Sequence, residues 1–305
     1  MLEDRIKKNA PLLLSNLQRD EYFEEGAVLL EKIVDDNWLK KLQLASEEVI
    51  HQSRELTQSG KGYILEAGHS IKYPRLKRLS SPVDHHPAFW DFVNSEVCTM
   101  AAADVVGPNV KYHHSKLNFK WANGGAKFDW HQDIQAWPHT DYSPVTLALY
   151  LEDCDLDQGP MVTIKGSHKG PLFSMFDETG NWVLRIEDDK LDMKLAKKHP
   201  GPAGSLLLLN CRTVHGSERN DSNKSRPLLL NVFSSADSMP YTLSPIPSAR
   251  EGTIVRGQKA TWASHDPRPC QLPPDWSKGY EGPWSHQNAN FNDLETPRQF
   301  LKKRK

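Results

Sequence analysis

The sequence predicts a mainly β protein: an antiparallel double-stranded β-helix, or jelly roll, with a layer of N-terminal helices packed on one of its sheets. Two observations carry this expectation. From Val110 onward, short apolar runs alternate with turn-forming clusters, the pattern of a many-stranded antiparallel fold. Upstream of that point, apolar residues recur at steps of three and four, the period of helices that bury one face.

Taken in order, the first element expected is a helix capped by Asp36 or Asn37 that buries Trp38, Leu42, Ala45 and Val49. A second amphipathic helix starts near Pro87, with Phe89, Phe92, Val93, Val97 and Met100 on its inner face. Strands then follow over 112–121, 145–151, 161–164, 205–209 and 228–233. Turn formers separate them at 123–125, 157–160 and 201–204. The segments 173–199 and 236–284 read as insertions around the barrel mouth, each a candidate lid, while each of their tryptophans taken singly reads first as a packing anchor. The chain is expected to be one domain over 1–305. A strand and helical layer occupy about 20–110, the jelly-roll core about 111–235 with its insertion at 173–199, and a C-terminal extension about 236–305.

His131 and Asp133 lie two apart, so in an extended strand their side chains share one side while Gln132 faces away. In a chain with 13 histidines such a pair alone says little. His215, just past the apolar run 205–209, can bring a second imidazole from another strand. Two imidazoles and one carboxylate on one face of an ion leave the other face open, as a non-haem Fe(II) oxygenase requires. Arg226 opens the run 228–233, and a guanidinium entering an apolar strand calls for an anionic partner such as a carboxylate. Trp130 and Trp137 flank the metal pair, and continued alternation puts Gln135 and Trp137 on its side. These three are candidate substrate contacts, with core filling the other role open to Trp137. His85, His86, His113, His114 and His168 lack partners at metal spacing and read as structural or surface residues. Pro138 separates His139 from the strand.

These residues resemble the phytanoyl-CoA dioxygenase family of Fe(II)- and 2-oxoglutarate-dependent oxygenases. The resemblance runs through Phe128–Asp133, Gln158–Met161, Gly166–Lys169, His215–Ser217 and the step from His215 to Arg226, and it covers roughly residues 20–257. It implies a cupin-like jelly roll, with His131, Asp133 and His215 binding Fe(II). Arg226 would pair with the distal carboxylate of 2-oxoglutarate, supported by Ser217, and Asn118 is a further candidate contact. Lys116 and Lys120 share the side of Asn118 by alternation and stay open beside it. The implied reaction consumes O2 and 2-oxoglutarate, releases succinate and CO2, and oxidises a C–H bond of a small organic molecule, by default to an alcohol. Desaturation, epoxidation and ring formation, as in natural-product biosynthesis, remain open. Asp133 argues against halogenation, since the halogenating relatives replace this carboxylate by a small residue. Two positions depart from the pattern: Gln158 stands where Asn is common, and Ala148 where many relatives have Trp, which widens the expected pocket.

A net charge of −1 gives no electrostatic reason to expect a nucleic-acid or membrane partner. The partner expected is a small-molecule substrate, and nothing selects an oligomeric state. Cys98, Cys154, Cys211 and Cys270 are widely spaced, which favours reduced thiols in a cytoplasmic compartment. Neither the acid-containing N-terminus nor any apolar run reads as a signal peptide or membrane span, and the basic tail 301–305 reads as a solvated terminus. Other classes fit parts of the pattern. A zinc hydrolase would use the same ligands but has no His-Glu-x-x-His and no use for Arg226, and a non-catalytic metal-binding jelly roll would make no succinate. A serine or cysteine hydrolase lacks its nucleophile elbow.

Overall fold

The computed structural model describes residues 2–287 apart from 267 and 281. The basic tail, and the end of the C-terminal extension, lie outside the described residues. The chain opens with α1 (Leu2–Lys7), α2 (Asn16–Glu25), β1 (Ala27–Leu30) and α3 (Asp36–Ser53). It continues through β2 (Tyr63–Leu65), β3 (Leu76–Ser80), α4 (Pro87–Val93) and α5 (Glu96–Val106). The body comprises β4 (Val110–Lys120), β5 (Phe128–His131), β6 (Val145–Tyr150), β7 (Met161–Ile164), β8 (Ala196–His199), β9 (Leu206–Asn210), β10 (His215–Ser217) and β11 (Arg226–Ser235). β12 (Ile254–Arg256) and α6 (Pro283–Gln287) complete the elements.

Two antiparallel sheets face each other. The larger has the order β1-β9-β6-β11-β4-β3-β2, with β12 also on β4, and the smaller has β5-β10-β7-β8. Period-two alternation sorts the larger sheet's residues between two environments. Leu117, Phe119, Leu147, Leu149, Leu206, Leu208, Leu229 and Phe233 join the helices in the main apolar core. Ala148, Tyr150, Leu207, Leu209, Leu228 and Leu230 face the other way, between the sheets, together with Met161 of the smaller sheet. One part of the inter-sheet space is therefore apolar, and charged residues enter it from β3, β4 and β11. Ala148 does lie on this inner face.

The helical layer differs in detail from expectation. Asp35, one residue before the expected cap, accepts from the Trp38 backbone N–H and starts α3. The helix expected from Pro87 is two helices, because Ser95 caps α5 on the Cys98 N–H after α4 has ended at Val93. Asp104 of α5 accepts three backbone N–H groups, from Leu12, Leu13 and Leu14, at 2.6–2.8 Å, and so pins the N-terminal segment to the core.

The expected insertion 173–199 is partly core, since its last four residues are β8 and complete the smaller sheet through Met161↔His199 to Ile164↔Ala196. Lys197 and Lys198 thus lie on a strand and Lys194 in a short 3-10 turn. Lys197 bonds Glu21 and Glu25 of α2 at 2.8 and 2.7 Å, tying β8 to the helical layer. Among the described residues no helix is long and apolar enough to cross a membrane.

Candidate active site

The site lies on the inner face of the smaller sheet. His131 ends β5, His215 begins β10, and the two are directly opposed across the strand pair, their ring centroids 4.1 Å apart. Asp133 is not on the strand: the chain leaves β5 at His131 and turns into a 3-10 helix, Asp133–Gln135. The turn still returns the carboxylate to His131, with Oδ1 3.6 Å from Nε2. One candidate ligand atom from each of His131, Asp133 and His215 lies within 4.8 Å of the others.

The hydrogen bonds around these groups suit a metal. Nδ1 of His131 and of His215 each meets a carbonyl two residues back, Asp129 and Thr213, at 2.9 Å. A carbonyl only accepts, so Nδ1 carries the proton and Nε2 keeps its lone pair for a cation. Burial and the neighbouring His131 ring push the His215 imidazole down to about 3, so it is neutral at ordinary pH. Burial alone would raise Asp133, but Lys116 at 3.9 Å and the two imidazoles hold it well below the usual carboxylate range. Thr146 donates to its second oxygen at 3.2 Å. Two imidazoles presenting Nε2 and one carboxylate are the donor set a divalent ion binds.

Gln132 explains how a turn can be this rigid. Its amide donates to the carbonyls of Pro171 and Arg212 at 3.1 and 2.8 Å and accepts from the Phe173 N–H at 3.0 Å. The side chain that points away from the site therefore fastens it to two loops.

Across the inter-sheet space, on the inner face of the larger sheet, Arg226 starts β11 opposite Lys120 of β4. Its guanidinium is buried, 3% exposed, and Nε and Nη1 have no hydrogen-bond partner. Such atoms cost stability unless an anion joins them. Lys120 donates to the Glu218 carbonyl, and burial, then the Arg226 charge, push it well down. Gly159 has a positive φ, and a Cβ there would strike the Glu218 carbonyl and crowd Lys120, so this close corner beside Arg226 admits only glycine. Ser217 lies on the same face of β10 as His215, between Phe128 and Met161. Asn118 faces inward as expected, with its carbonyl oxygen accepting from Arg78 Nε at 2.8 Å. Gln158, the other departure from the family pattern, donates to the Ser225 carbonyl next to Arg226.

The three expected substrate contacts are engaged elsewhere. Trp130 projects to the outer face of the smaller sheet, in a cluster with Val162, Ile164, Trp182 and Trp276, because adjacent strand residues point oppositely and His131 points in. The 3-10 turn cancels the alternation expected for the next two. Gln135 donates to the Phe173 carbonyl at 2.8 Å, and Trp137 packs against His113, His114 and His139. Those histidines are buried and His113 contacts both other rings. His168 meets the Phe23 carbonyl at 3.0 Å, and the four cysteines are free thiols.

Sequence reasoning missed Arg78 and the C-terminal wall. Trp284 of α6 stacks edge-on to Phe128 at 5.3 Å, and Phe128 meets the His131 ring at 4.5 Å. The Arg78 guanidinium carbon lies 4.6 Å from the Trp284 ring centre, and Tyr280 places its phenol beside Arg78. Trp276 Nε1 donates to the Ala136 carbonyl at 2.8 Å and Gln287 to Leu184 at 2.8 Å, which hold this segment against the triad's turn. Arg78 lies in Leu76–Ser80, a short strand whose Leu-Lys-Arg-Leu-Ser order has no period-two alternation to mark it. Tyr280, within a long irregular stretch, offered no periodic signal.

A jelly roll with this donor set on the inner face of one sheet, and an unpartnered buried guanidinium on the inner face of the other, defines the 2-oxoglutarate-dependent non-haem iron dioxygenase class. Comparisons with known proteins carry the assignment one step further. The family described as Phytanoyl-CoA dioxygenase (PhyH) matches residues 22–228. A probable alpha-ketoglutarate-dependent hypophosphite dioxygenase of Stutzerimonas stutzeri is 28% identical over 261 residues, covering 84% of this chain and 90% of that protein. An ectoine dioxygenase of Bordetella bronchiseptica is 27% identical over 250 residues, covering 76% of this chain and 78% of that protein. The crystal structure of EctD from S. alaskensis with bound Fe superposes with a TM-score of 0.67 at 18% identity, covering 83% of this chain and 90% of that one. The chain belongs to the phytanoyl-CoA dioxygenase family.

Proposed function

We propose that His131, Asp133 and His215 hold Fe(II), and that Arg226 and Ser217 grip the distal carboxylate of 2-oxoglutarate. Asn118 contacts the co-substrate nearer the metal. The reading rests on one observation above all: the unpartnered Nε and Nη1 of the buried Arg226, which enters the inter-sheet space from the larger sheet while the triad enters it from the smaller. A zinc hydrolase leaves that guanidinium without a function. Bound Fe(II) supplies the redox centre at which O2 converts 2-oxoglutarate to succinate and CO2 and a substrate C–H bond is oxidised. The protein's own residues do the rest. Thr146 and Lys116 keep Asp133 charged and oriented, and the Asp129 and Thr213 carbonyls fix the imidazole tautomers.

Hydroxylation of a small polar molecule is the reaction proposed. The two curated relatives above are named for small substrates, hypophosphite and ectoine, which supports that size class. The whole of 1–305 acts as one oxygenase domain, with the segment around Tyr280 as the substrate wall. The free thiols of all four cysteines support a cytoplasmic setting.

The test is reconstitution. Protein loaded anaerobically with Fe(II) and 2-oxoglutarate, then exposed to O2 across a panel of small polar metabolites, is expected to release succinate above the uncoupled background with at least one of them, and protein loaded with Zn(II) to release none. Equal output from both metals, or background succinate throughout, contradicts the reading.

A further inference from the structure

The inner face carries more positive charge than iron and 2-oxoglutarate account for. Arg226 and Lys120 lie together at one end. Arg78 and Lys116 form a second pair beside the triad: the register sets Arg78 against Asn118 and Ser80 against Lys116, which places both cations on the inward face of neighbouring strands. They are 3% and 8% exposed. Among the described residues Asp133 is the one carboxylate that faces both. Its oxygens are already shared with Thr146 and with the metal position.

A buried pair of like charges is costly to keep unless an anion completes it. The co-substrate's distal carboxylate is at the other end of β4, on Arg226. The Arg78 side chain also has the form of a prepared binding group. Its Nε is anchored on Asn118 at 2.8 Å and its plane rests on Trp284, which leaves the terminal nitrogens as a fork beside the Tyr280 phenol. Phe128 and Trp284 form an apolar wall next to that fork, on which the carbon part of a small molecule can lie.

We infer that Arg78, Lys116 and the Tyr280 hydroxyl form an oxyanion subsite, so that the molecule oxidised here carries a carboxylate or phosphonate-type head group. This rests on the assignment of the triad and Arg226 made above. Lys116 and Arg78 bind the head group, Tyr280 donates to one of its oxygens, and the adjoining carbon is held toward the triad. The subsite assembles only when the segment from Trp276 to Gln287 is packed on β5, which makes that segment a specificity element.

The experiment is anaerobic calorimetric titration of the Fe(II)- and 2-oxoglutarate-loaded protein with three matched probes: ethylphosphonate, propionate and the neutral propionamide. At least one anion is expected to bind and the amide at least tenfold more weakly; the tighter anion identifies the head group. Arg78→Met is expected to weaken anion binding at least tenfold while the 2-oxoglutarate dissociation constant stays within twofold. Tyr280→Phe, which removes a single hydroxyl, is expected to weaken it severalfold with the co-substrate unaffected, and it decides the matter should Arg78→Met fail to fold. Equal binding of amide and anions, no binding of either anion, or a loss in Arg78→Met that falls on 2-oxoglutarate overturns the subsite. Failure of the unmodified protein to take up 2-oxoglutarate with Fe(II) overturns the underlying assignment instead.

Discussion

His131→Ala is expected to abolish coupled turnover, lowering single-turnover succinate formation by at least about a thousandfold and iron retention with it. The substitution takes one of three donors from an ion that must keep open positions for its co-substrates, and the other two, Asp133 and His215, offer a chelate of much lower affinity. It also removes the ring that opposes His215 at 4.1 Å. The fold is expected to survive, because β5 is held by its pairing with β10 and by the Gln132 amide, neither of which uses the imidazole. Iron content per chain and succinate after one turnover check both halves. Turnover within tenfold of the unmodified enzyme would remove His131 from the metal.

Arg226→Ala is expected to act differently, raising the 2-oxoglutarate concentration at half-saturation by about a hundredfold while leaving iron content intact. Charge-assisted hydrogen bonds are worth roughly 1.5–3 kcal/mol each, and about 1.4 kcal/mol is a factor of ten in affinity. A guanidinium with two free nitrogens facing a carboxylate accounts for a loss of that size. Stability gives a second sign. Without ligand, Arg226 is a buried cation whose Nε and Nη1 are unbonded, so its removal is expected to leave the melting temperature of the ligand-free protein unchanged or higher. A structural arginine would show the reverse, with a lower melting temperature and an unchanged 2-oxoglutarate requirement.

Much of this site was visible in the residues. Alternation placed Lys116, Asn118 and Lys120 on one face of β4, and the core strands appeared near their expected positions because each is a short apolar run between turn formers. Periodic reasoning failed where the chain stops being periodic. Asp133 reaches the site from a 3-10 turn, so the alternation that correctly paired it with His131 did not extend to Gln135 and Trp137. Trp130 was misassigned by its nearness in sequence to His131, when strand geometry sends adjacent side chains to opposite faces. β8 was hidden because Ala196–His199 is a polar edge strand, with little apolar pattern to mark it. Arg78 and Tyr280 meet from opposite ends of the chain, a contact that no local pattern encodes.

The central claim is that the triad and Arg226 hold one co-substrate between them, and linkage tests it most directly. Binding of 2-oxoglutarate, measured by anaerobic calorimetry with and without Fe(II) in unmodified and Arg226→Ala protein, is predicted to need both anchors. Affinity should fall steeply when the metal is withheld and when the guanidinium is removed, and binding should be undetectable when both are absent. If 2-oxoglutarate binds as tightly without metal as with it, or if Arg226→Ala leaves its affinity unchanged, the two anchors do not share a ligand and the account fails.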